Sequence, residues 1–129
     1  GSLGFAGVYF AVLVGLGFDA VDSSQLPEGA FGEGGIRLLN MAIVAGWAPF
    51  TEEVFFRGFV LASLLPSLGA VRAATVSSAV FAGAHMLPVA MIPLFVTSLL
   101  LSWLYIRTRS IWPPVAAHAA QNLLAASMA

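Results

Sequence analysis

The chain has 129 residues, 60% of them hydrophobic and only 9% charged, with a formal net charge of −1. Soluble domains carry about 25% charged residues, so this balance, with a mean hydropathy of +0.96, points to one integral membrane domain spanning 1–129. Five scattered arginines and no lysine leave no basic patch for nucleic acid, and the lack of cysteine excludes disulfides, thiolate metal ligands and a cysteine nucleophile.

In chain order, Leu3 to Phe18 is a glycine-rich apolar run without a basic leader segment, read as part of a helix rather than a cleavable signal peptide. Residues 19–35 carry Asp19, Asp22, Glu28 and Glu33 and form an extramembrane loop. Ile36 to Leu65 is a long apolar segment in which Gly46 and Pro49 favour a kink. Pro66 to Ala70 reads as a turn, and Val71 to Leu87 as a helix rich in the small residues that let membrane helices approach closely. Pro88 and Pro93 bracket a short break, after which Leu94 to Ile106 is the most purely apolar run. Residues 107–114 form a basic, aromatic turn, and Val115 to Met128 closes the chain as a helix. The expected fold is all-α, a polytopic transmembrane bundle of about five helices, four core spans plus a partial N-terminal one. Arg72, Arg107 and Arg109 fall on one side of such a bundle, which puts the 66–72 and 107–114 turns in the cytoplasm.

Glu52, Glu53 and Arg57 interrupt the Ile36–Leu65 segment. An ionised group at mid-bilayer costs roughly 3 kcal/mol on insertion scales and about 10 or more in simulations, so three within six residues call for a purpose. Glu53 and Arg57 stand at i,i+4 and pair along one helix face. Glu52 points about 100° away and has no partner on its own helix, which makes it the candidate general base. The two histidines, His85 and His118, also fall in apolar helices, and Asn122 follows His118 at i,i+4. Each alone suits an interhelical hydrogen bond; together with Glu52 they suit one intramembrane cavity.

Glu52-Glu53-Val-Phe-Phe-Arg57 fits Glu-Glu-x-x-x-Arg, Phe81-Ala-Gly-Ala-His85 fits Phe-x-x-x-His, and His118-Ala-Ala-Gln-Asn122 fits His-x-x-x-Asn. In this order, with Ser110-Ile-Trp112-Pro-Pro before the last, the motifs resemble the CPBP (Abi) family of intramembrane endopeptidases related to CAAX prenyl proteases and bacteriocin-processing proteins. The resemblance covers a motif-bearing core of about 36–127. It implies that Glu52 and His85 activate a water against a peptide carbonyl, that His118 and Asn122 bind the oxyanion, and that Glu53, Arg57 and Phe81 support them. The implied partners are a membrane-associated peptide or protein substrate and the lipid bilayer.

Glu52, His85 and His118 are also an acceptable zinc set. There is no His-Glu-x-x-His, so metal-assisted and metal-free attack both stay open, with the metal-free glutamate mechanism preferred. Two readings compete with the protease: a catalytically silent scaffold or immunity-type protein, and a small transporter. One geometric demand is plain. Glu52 and His85 lie about 20 Å along their helices from the cytoplasmic turns but His118 only about 8 Å, so the last helix must begin at depth or the others extend past the membrane.

Overall fold

The computed structural model describes residues 33–128, so the expected Leu3–Phe18 helix and nearly all of the 19–35 loop lie outside it. Every secondary-structure element among the described residues is helical. A first helical run, Gly34–Ala84, consists of α1 (Gly34–Ala42), a π-helical turn (Ile43–Trp47), α2 (Ala48–Glu53), a second π-helical stretch (Val54–Leu61) and α3 (Ala62–Ala84). A 3-10 turn (Pro88–Ala90) leads into α4 (Met91–Thr108), and α5 (Trp112–Met128) follows. The expected count of about five helices therefore becomes, among the described residues, three helical runs, the first of them bent back on itself.

The bend is at Gly69, whose φ of 73° and ψ of 171° are non-helical. Helix continues through Pro66, so the sequence-expected turn at 66–70 narrows to one residue. Proline removes a single helical hydrogen bond, whereas the reversal needs positive φ, which glycine adopts without steric penalty. Past Gly69 the chain returns antiparallel. Leu61 packs with Ala73 and Ala74, Ser77 Oγ donates to the Phe56 carbonyl at 3.2 Å, and the rings of Phe56 and Phe81 meet at 4.9 Å. A Cβ on Gly69 would meet nothing within 4 Å, so Gly69→Ala tests backbone strain alone. It should lower stability by about 1–3 kcal/mol. An unchanged melting temperature in detergent would contradict a hinge at this residue.

Near Gly46 and Pro49, where a kink is expected, the helix widens into the π turn Ile43–Trp47. Pro49 has no N–H for the Ala45 carbonyl, and widening the turn redistributes the hydrogen bonds. Other boundaries shift for related reasons. Pro93 sits in the first turn of α4, and Pro113 and Pro114 in the first turn of α5, where a backbone N–H has no helical partner anyway. Both helices thus begin three residues earlier than Leu94 and Val115. Arg109, at φ 52°, ends α4 with its N–H on the Tyr105 carbonyl at 2.8 Å.

Polarity is inverted relative to a water-soluble fold. Ile36, Leu38, Trp47, Phe59, Ile92 and Trp112 are exposed, while Glu53, Arg57, Ser77, Ser78, Ser98 and Ser102 are fully buried. Two helical runs, Gly34–Ala84 and Pro88–Thr108, are long and apolar enough to cross a bilayer, and most of each apolar window faces outward. An apolar exterior around a polar interior suits lipid as the solvent.

Candidate active site

The polar interior is organised around Arg57. Its Nη1 donates to Glu53 Oε1 at 2.9 Å, the i,i+4 pair along one helix, with both side chains fully buried. Its Nη2 donates to Ser98 Oγ at 2.8 Å and to the Ser98 carbonyl at 3.0 Å, tying the first helical run to α4. The guanidinium carbon lies 5.0 Å from the centre of the Phe81 ring, within cation–π range. These contacts offset the desolvation of a cation that lipid alone would not accommodate.

The same Glu53 Oε1 stands 2.8 Å from Nδ1 of His118, on α5. A carboxylate only accepts, so His118 Nδ1 carries the hydrogen and its Nε2 faces the other way. There it lies 3.8 Å from Glu52 Oε2. On the opposite flank His85 Nε2 is 3.9 Å from the same oxygen. Glu52 Oε2 is buried and makes no hydrogen bond, although about a third of the Glu52 side chain is exposed. Separations of 3.8–3.9 Å are too long for direct hydrogen bonds, yet one water with bonds of about 2.8 Å spans them readily.

His85 lies just beyond the end of α3 rather than inside a helix running to Leu87. α3 stops at Ala84, and Met86 adopts left-handed φ of 51°. Ending there frees the carbonyls of the last turn, and His85 Nδ1 takes one of them, Phe81 O, at 2.8 Å. A carbonyl cannot donate, so Nδ1 carries a hydrogen, and Nε2 is the nitrogen that faces Glu52. The Phe81 ring forms one wall, with centroids 4.6 Å from His85 and 6.0 Å from His118.

The structure therefore gathers Glu52, His85 and His118 from three stretches of chain around a single oxygen. Asn122 stands one turn beyond His118 on α5, and its Nδ2 donates to the Val44 carbonyl at 2.9 Å. That acceptor belongs to the first π turn, just as the Ser77 acceptor, Phe56, belongs to the second. Both widened turns are thus held from outside by a polar side chain. Ser98, Ser77 and the Val44 carbonyl escaped the sequence reading. The available signal was Thr97, Ser98 and Ser102 within the α4 apolar run, since Ser98 and Ser102 are one turn apart and both are buried.

Among the described residues no group of three His, Cys, Asp or Glu side chains is gathered as a metal ion requires, so Glu52, His85 and His118 as placed do not fit one.

A family model described as type II CAAX prenyl endopeptidase Rce1-like matches residues 34–124, which holds every residue of this cluster. No curated protein and no solved structure matches the chain.

Proposed function

The chain belongs to the Rce1-like type II CAAX prenyl endopeptidase family, membrane proteases by kind, and on that premise we propose that it is an intramembrane endopeptidase of the glutamate type. Glu52 is the general base and His85 the group that orients the water. His118 and Asn122 stabilise the oxyanion, while Glu53, Arg57 and Phe81 hold them in position. The observation that carries this reading is the buried, unbonded Glu52 Oε2 between two imidazole nitrogens at 3.8 and 3.9 Å.

In this scheme a water donates one hydrogen to Glu52 Oε2 and the other to His85 Nε2, leaving a lone pair for the peptide carbonyl carbon. Glu52 takes the proton as the new C–O bond forms. Negative charge develops on the carbonyl oxygen, which accepts from the Asn122 amide and from His118 Nε2 in its doubly protonated form. Asn122 has two N–H bonds, and giving one to Val44 orients the other. When the C–N bond breaks, the Glu52 proton passes to the departing amine. An open apolar pocket of about 270 Å³ lined by Ala79, Ala82, Met91, Ile92 and Phe95 suits an apolar portion of a membrane-associated substrate. The full chain would be polytopic, with the 66–72 and 107–114 turns cytoplasmic.

Reconstituted protein with a library of lipidated and unmodified peptides tests this. Wild type should cleave, and His85→Ala should lower kcat by about 10²- to 10⁴-fold. Equal turnover by the two would refute the assignment.

A further inference from the structure

Beyond the three motifs, and resting on the protease reading above, we infer that Ser98 is a positioning residue that sets the orientation of His118 through Arg57 and Glu53. Ser98 sits on α4, which contributes none of the motif residues, and is fully buried. It meets one guanidinium nitrogen twice, with its hydroxyl at 2.8 Å and its carbonyl at 3.0 Å. The guanidinium is planar and rigid, so fixing Nη2 fixes where Nη1 points. Nη1 holds Glu53 Oε1 at 2.9 Å, and that oxygen alone receives His118 Nδ1 at 2.8 Å. The other Glu53 oxygen is buried and makes no hydrogen bond. One oxygen therefore carries the whole connection, and rotation of the carboxylate would move the acceptor away from His118.

The chain of contacts runs Ser98, Arg57, Glu53, His118 and ends 3.8 Å from Glu52 Oε2. Every link up to Glu53 is shut off from solvent, so a lost hydroxyl cannot simply be replaced by bulk water. Ser98→Ala removes the side-chain acceptor and keeps the carbonyl. The fold is expected to survive while the guanidinium gains freedom to turn.

Two measurements on the full chain in detergent test this. In the first, cleavage is followed in wild type, Ser98→Ala, His118→Ala and the double variant. Ser98→Ala should lower kcat about tenfold at unchanged KM, and the same substitution should cost less than about twofold once His118 is absent. Equal losses in both backgrounds, or no loss at all, would overturn the positioning role. In the second, imidazole ¹⁵N resonances are recorded without substrate. Ser98→Ala should shift His118 Nδ1 and leave His85 Nδ1, which is bound to the Phe81 carbonyl, in place. An unmoved His118 signal overturns the inference even if peptides are cleaved. A moved signal in a protein that cleaves nothing supports the linkage and counts against the protease reading instead.

Discussion

Glu53→Ala should unfold this protein at a much lower temperature than wild type, because it strips the carboxylate from a fully buried guanidinium. Removing one partner of a buried ion pair typically costs about 3–5 kcal/mol, since the remaining charge keeps its desolvation penalty without its compensation. Two contacts from Ser98 and the Phe81 ring would remain to Arg57, but none of them carries a negative charge. His118 would lose its Nδ1 partner in the same step. The comparison that isolates the pair is Glu53→Leu with Arg57→Met. Deleting both charges should restore much of the stability lost on deleting one, while activity stays absent. Thermal unfolding in detergent reads this directly, and a Glu53→Ala melting temperature equal to wild type would contradict the buried pair.

Glu52→Gln should do the reverse, abolishing turnover while leaving the fold intact. The amide keeps the size and shape of the carboxyl and cannot take a proton, so loss of a general base of about 10²- to 10⁴-fold is expected. Glu52 Oε2 makes no hydrogen bond, so little native structure depends on it. Stability should stay within about 1 kcal/mol of wild type or rise, as it does where a site holds an unsatisfied group for function. The two neighbouring glutamates thus have opposite signatures, one thermodynamic and one kinetic. That contrast follows from the turn between them: Glu53 faces Arg57 and His118, and Glu52 faces the gap between imidazoles.

Much of this was legible in the sequence because charge is so costly in lipid. Glu52, Glu53 and Arg57 stood out against an apolar run, and the i,i+4 spacing of the last two fixed their common face. The hairpin was less legible. Residues 66–70 read as a turn, and Gly69 alone among them makes it, because a reversal depends on positive φ more than on the N–H missing at Pro66. The proline-bounded helix starts were misplaced for the same reason, as a first turn tolerates proline. Ser98 stood out only as a hydroxyl in an apolar run; its partner was not legible, because Arg57 lies 41 positions earlier and no local pattern encodes that contact. The π turns were hidden too, since carbonyls that find partners in Asn122 and Ser77 leave no mark in composition.

A single turnover in ¹⁸O-labelled water probes most sharply whether Glu52 acts on a water rather than on the substrate itself. The expected result is ¹⁸O in the new C-terminal carboxylate of the product, unlabelled Glu52 in the recovered protein, and no product from Glu52→Gln. Label incorporated into the Glu52 side chain, or product formed equally well by Glu52→Gln, would contradict it.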